Sequence, residues 1–184
     1  GIALVCHPHP LFGGTNSNKV AHSLARTFVA MGYCAFRPNF RGVGESEGTH
    51  DEGRGETDDM LAVIEEAKRR CGDIPVVLAG FSFGGFVQTR VAKRLAEGHH
   101  PIQRMVLVGT AAGFVEGTRS YDTEAVPNDT IVIHGSTDET VPLANVLKWA
   151  EPLELPVVVV PGADHFFHRR LHVIREIITR SWRH

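Results

Sequence analysis

The 184 residues are 42% hydrophobic and 22% charged, with a formal net charge of −2, which fits one globular domain and excludes a disordered tail or a coiled coil. With 19 Lys and Arg against 21 Asp and Glu, nothing marks a binder of nucleic acid or of an anionic membrane. The apolar stretches at 105–115 and 155–160 are too short and too broken by Gly and Pro to span a bilayer.

The chain opens directly in an apolar run, residues 2–6, with no basic region and no cleavage site before it, so no signal peptide is expected here. Further Val/Ile/Leu-rich runs follow at 33–37, 75–79, 104–108, 130–134 and 156–160. All are apolar without alternation, as parallel strands covered on both faces would be. Helical patterns lie between them. Val20, Leu24 and Phe28 share one face of 16–31, with Gly32 as the stop, and Met60, Leu61, Ile64 and Ala67 share one face of 57–70. Further helices are expected at 83–97, 141–150 and 171–182. This alternation predicts a single α/β domain over 1–184, with a mostly parallel sheet of about six strands and helices on both faces. Residues 110–129 carry no clear period and read as a long loop, too small for a separate cap domain.

Cys6, Cys34 and Cys71 are odd in number and lack C-x-x-C spacing. Cys6 and Cys34 fall in the apolar runs, so buried, reduced structural cysteines in a cytoplasmic protein are expected.

The chemistry gathers at the ends of three runs. Gly80-Phe81-Ser82-Phe83-Gly84 is a G-x-S-x-G match, which chance composition would supply roughly 0.07 times per chain. A hydrophobic strand pattern ends at Gly80 and a helix pattern starts at Phe83, the context a nucleophile elbow needs. A serine needs a base, and the base needs an acid to orient it. After the fifth run stands Asp138, and after the sixth stands His165, so both emerge with Ser82 at the carboxyl ends of strands. Glu139 and Asp164 are competing acids, and each reads as a solvated loop charge. The spacings His165-x-x-His168-x-x-x-His172 and His7-x-His9 invite a metal, but Phe166 occupies the place of the glutamate that zinc peptidases set beside the first histidine. No metal and no cofactor are expected.

These motifs resemble those of the α/β-hydrolases, in particular the small cap-less group related to dienelactone hydrolases and acyl-peptide-type esterases. Gly80 to Gly84 is similar to the family's elbow, and Arg41-Gly42-Val43-Gly44-Glu45-Ser46 to its R-G-x-G-x-S loop. Gly135-Ser136-Thr137-Asp138 with Val141-Pro142 is similar to the acid loop, and Gly162 to Phe166 to the histidine loop. His7-Pro8-His9-Pro10 resembles the H-G-x-P turn, with Pro8 where Gly is usual. The family's first two strands have no counterpart in this sequence. Dienelactone hydrolases use Cys as nucleophile, whereas Ser82 points to a serine esterase.

The resemblance implies a triad of Ser82, His165 and Asp138, with the main-chain N–H groups of Phe83 and His9 facing the oxyanion. The substrate would be a small-molecule carboxylic ester of small to medium acyl length. Thioester or peptide hydrolysis by the same triad, and a catalytically silent interaction module on the same fold, are the alternatives. Phe12, Phe114 and Phe166 are the candidates for an apolar substrate pocket, while Phe81 reads as core.

Overall fold

The computed structural model describes residues 1–115, 117 and 119–182. Six parallel strands form the main sheet: β1 (Ile2–Cys6), β2 (Cys34–Phe36), β3 (Val76–Phe81), β4 (Arg104–Val108), β7 (Ile131–Gly135) and β8 (Val157–Val160), in the order β2-β1-β3-β4-β7-β8. The expected sheet is therefore present. Five α-helices surround it: α1 (Lys19–Ala30), α2 (Arg54–Cys71), α3 (Phe83–Glu97), α4 (Leu143–Ala150) and α5 (Leu171–Ser181).

Strand pleating divides the core in two. Ile2, Leu4, Cys6, Val76 and Leu78 face α2, α3 and α4, while Ala3, Val5, Val77, Ala79 and Phe81 face α1 and α5. The central strands are buried on both faces, which is why they read as unbroken apolar runs. The edge strands depart from that reading. Val158 and Val159 of β8 are exposed, and so is Cys34 of β2, because each edge strand has a neighbour on one side only. Cys34 is thus not the buried residue its run suggested.

Local signals account for the helix ends. Asn18 caps α1 by accepting the N–H groups of Val20 and Ala21, and Gly32 stops the helix at a φ of 88°. Helix α2 starts at Arg54, earlier than expected, because the buried Glu56 carboxylate reaches back to accept the N–H of Gly53 at 3.1 Å and of Asp51 at 3.0 Å. Residues 110–129 are not all loop. They hold a small antiparallel pair, β5 (Gly113–Phe114) and β6 (Ser120–Tyr121), while Glu116 and Thr118 of that stretch lie outside the described residues.

Chain order reverses between β1 and β3: β2 lies outward of β1, and the later strands extend the other way. Sheets of this kind leave a crevice beyond the carboxyl ends of the strands at that switch point. No helix among the described residues is long and apolar enough to cross a membrane.

Candidate active site

Ser82 occupies the turn between β3 and α3, with φ 56° and ψ −120°. A non-glycine residue in this region costs on the order of 1–3 kcal/mol, so the surroundings must hold it there. Sheet pairing does part of this, since the Ser82 N–H donates to Val108 O at 3.0 Å. The Ser82 carbonyl then accepts from Gly85, Phe86 and Ala111. The two flanking glycines are sterically required. A Cβ on Gly80 would lie 2.5 Å from the Gly84 backbone, and one on Gly84 would lie 2.4 Å from Cys6 O and 2.5 Å from His7 O. Helix α3 therefore starts pressed against the end of β1. Beneath it, buried Gln88 donates to Leu4 O and Ala79 O at 2.9 and 3.0 Å, tying the helix to both strands.

The structure brings Ser82, His165 and Asp138 into one hydrogen-bonded row. His165 Nε2 is 3.0 Å from Ser82 Oγ, and His165 Nδ1 is 2.7 Å from Asp138 Oδ2. Asp138 is buried, so its proton-free oxygens need partners. Oδ1 accepts the N–H groups of Thr140 and Val141 at 3.0 and 2.8 Å. With Nδ1–H donating to the carboxylate, Nε2 is left to accept the serine proton. The imidazole of His165 is held between rings, 4.9 Å from Phe81 and 5.1 Å from Phe166, centre to centre. Glu139 is exposed, and Asp164 pairs with His168 instead of orienting His165. His168 thereby faces a carboxylate. No three His, Cys, Asp or Glu side chains among the described residues converge as a metal site would require.

The turn after β1 lies beside the elbow. His7 is buried, its Nδ1–H donating to Pro8 O at 2.7 Å while Nε2 accepts the Phe40 N–H at 3.0 Å. Burial pushes its pKa down to about 4. His9 Nδ1 accepts the Leu11 N–H at 3.2 Å, capping a short 3-10 turn over Pro10–Phe12. Burial, with His50 and Arg119 nearby, lowers the His9 pKa to about 4 as well. Arg41 anchors the following Gly-rich loop to α2 through a two-pronged bond to Asp59 at 2.7 and 2.9 Å. Among the described residues, neither the His9 N–H nor the Phe83 N–H has a hydrogen-bond acceptor.

Of the candidate pocket phenylalanines, Phe12, Phe114 and Phe166 are 67%, 64% and 45% exposed, whereas Phe81, Phe83 and Phe167 are core. Phe12 lines a cleft of about 620 Å³ together with His9, Phe83, Phe86 and Tyr121. Phe114 and Phe166 do not line it. Phe166 instead flanks His165.

Three features escaped the sequence reading. His134 sits beneath the acid loop, its Nε2 2.8 Å from Val141 O and 3.4 Å from Asp138 Oδ2, and burial lowers its pKa. Its place four residues before Asp138 was the available signal. His50 stacks beside His9 and Phe83 with Nδ1 2.9 Å from Glu56, a pairing across six residues that no short motif announces. Arg90 and Arg119 line the cleft from elements far apart in sequence.

A family model described as the alpha/beta hydrolase fold matches residues 4–129. An alpha-beta serine hydrolase homologue from Coxiella burnetii superposes with a TM-score of 0.84 at 37% identity, covering 99% of this chain and 85% of that one. XC6422 from Xanthomonas campestris, a serine hydrolase without a lid, gives 0.85 at 36% identity, covering 98% and 79%. In sequence, the uncharacterized protein RP471 of Rickettsia prowazekii is 33% identical over 180 residues, 90% of this chain and 71% of its own length. The lysophosphatidylserine lipase ABHD12 of Gallus gallus is 33% identical over 119 residues, and the match covers 62% of this chain and 31% of the lipase.

Proposed function

The chain belongs to the alpha/beta hydrolase fold family, and we propose that it is a serine carboxylic-ester hydrolase acting on small to medium acyl esters. The observation that carries this reading is the row Ser82–His165–Asp138, with Ser82 on a strained elbow and the Asp138 carboxylate buried behind the imidazole.

In this reading Ser82 Oγ attacks the ester carbonyl while His165 Nε2 takes its proton. The N–H groups of Phe83 and His9 hold the oxyanion of the tetrahedral intermediate. His165 then returns the proton to the departing alcohol oxygen, leaving an acyl group on Ser82. Water, deprotonated by His165, attacks that acyl-enzyme and releases the carboxylic acid. Asp138 fixes the tautomer and stabilises the imidazolium that forms twice per turnover. The chemistry needs no metal and no cofactor. The proposal includes a small-molecule substrate and a cytoplasmic setting, a reading supported by the near-balanced charge and the free cysteines.

A fluorophosphonate probe and p-nitrophenyl esters of increasing acyl length test the proposal. The wild-type chain should label and should hydrolyse the shorter esters, and Ser82→Ala should do neither. A folded wild-type chain that neither labels nor hydrolyses would make the fold an interaction module. Faster turnover of a thioester or a peptide than of any ester would redirect the substrate class.

A further inference from the structure

His165 must hand its proton to the leaving oxygen, so the alcohol half of the substrate lies against His165 and Phe166. The acyl half extends to the opposite side of the carbonyl. The 620 Å³ cleft is a candidate for it, because His9 and Phe83, the oxyanion donors of this reading, line the cleft and no residue of the histidine loop does. Its floor is one face of α3: Phe83, Phe86 and Arg90 follow each other at spacings of three and four residues. Phe83 packs against Phe86 at 6.0 Å, and the Arg90 guanidinium carbon lies 5.9 Å from the Phe86 ring centre. Along this face of α3 two aromatic rings thus lead to a guanidinium group.

Arg90 is unusual among the arginines here. Its Nε is buried without a hydrogen-bond partner, and among the described residues no carboxylate pairs with its guanidinium. Arg119 lines the same cleft beside Tyr121, its guanidinium carbon 4.2 Å from the Phe12 ring centre. Arg54 also lines the cleft, 3.1 Å from Asp51 and 3.6 Å from Glu52. Glu52 is the one carboxylate in the described lining, set against three guanidinium groups.

Resting on the ester-hydrolase reading above, we propose that this cleft selects esters whose acyl chain ends in a carboxylate, with Arg90 holding that end. A planar guanidinium offers a carboxylate two parallel donors, a geometry an ammonium lacks. Arg90 is seven residues beyond Phe83, a rise of about 10 Å along the helix, which an extended acyl chain of about eight carbons spans. The preferred substrates are half-esters of medium-length dicarboxylic acids.

The test compares kcat/KM for p-nitrophenyl octanoate and for the mono-p-nitrophenyl ester of octanedioic acid. The wild-type ratio should favour the charged chain by about tenfold, shrink in about 1 M salt and fall towards unity in Arg90→Gln. Arg90→Lys should keep part of it. Because each ratio is internal to one enzyme preparation, loss of folded protein cancels. A wild-type ratio at or below unity, or one unchanged in Arg90→Gln, overturns the proposal. Calorimetric titration of octanedioate into Ser82→Ala reads the cleft without the chemistry: binding is expected, and is expected to be lost when Arg90→Gln is added. Absence of binding overturns the cleft assignment, whereas binding with both esters inert overturns the ester-hydrolase reading alone.

Discussion

Two substitutions at His9 separate its main chain from its side chain. His9 has φ −56°, close to the angle proline imposes, and its N–H has no acceptor among the described residues. His9→Pro therefore fits the backbone and removes one donor, while His9→Ala keeps that donor. Both variants lose the imidazole that accepts the Leu11 N–H, so each should lose about 1 kcal/mol of stability to the same cause. The ratio of their kcat values then isolates the amide. Loss of one oxyanion donor costs about 10²- to 10³-fold, or about 2.7–4 kcal/mol. His9→Ala should stay near wild type on saturating p-nitrophenyl acetate, with His9→Pro lower by that factor at matched circular dichroism. The imidazole cannot substitute as a cation, because with a pKa of about 4 it is neutral at pH 7. Equal, large losses in the two folded variants would move the role to the side chain; equal, small losses would remove His9 from the oxyanion site altogether.

Gly84→Ala gains about 1 kcal/mol of helix propensity but sets a Cβ 2.4 Å from a backbone oxygen of β1, so a net loss of about 2 kcal/mol and a Tm drop of several degrees are expected. Gly98→Ala, whose Cβ would meet nothing closer than 3.5 Å, is the control; comparable melting of the two would refute the steric account. Asp138→Asn should lower kcat by about four orders of magnitude through the wrong imidazole tautomer, and a loss under tenfold would remove Asp138 as the orienting acid. The His7 pKa lies near 4 when folded, below its ordinary value of 6.5, so the unfolded chain binds the extra proton between those values. His7 should contribute about 3 kcal/mol that is complete above pH 6.5 and lost towards pH 4, with His9 adding in the same direction, read from urea midpoints, and a flat profile across that window would contradict the buried neutral imidazoles.

The parallel strands were legible because central strands buried on both faces leave unbroken apolar runs, and the elbow because Gly80 and Gly84 each answer a backbone contact that no other residue allows. Asp138 and His165 were legible through their places after β7 and β8. The pair β5–β6 was not, since two-residue strands are too short to carry a period. Nor were the cleft's cations. Arg90 lies four residues after Phe86, where sequence reads only the polar face of a helix, and Arg119 meets Phe12 across a gap of more than a hundred positions. The division between Phe81 in the core and Phe12, Phe114 and Phe166 on the surface was legible, but which of these rings lines the cleft was not, because that depends on where the backbone aims each one.

The backbone at Ser82 has a bearing on how this chain can change over time. At φ 56° a glycine would relax and a serine cannot, so Ser82→Gly should raise stability while abolishing the nucleophile. Drift under pressure for a sturdier protein alone would erase the serine early. A lineage that keeps the serine at this position is being held there by its chemistry, against the preference of its own backbone.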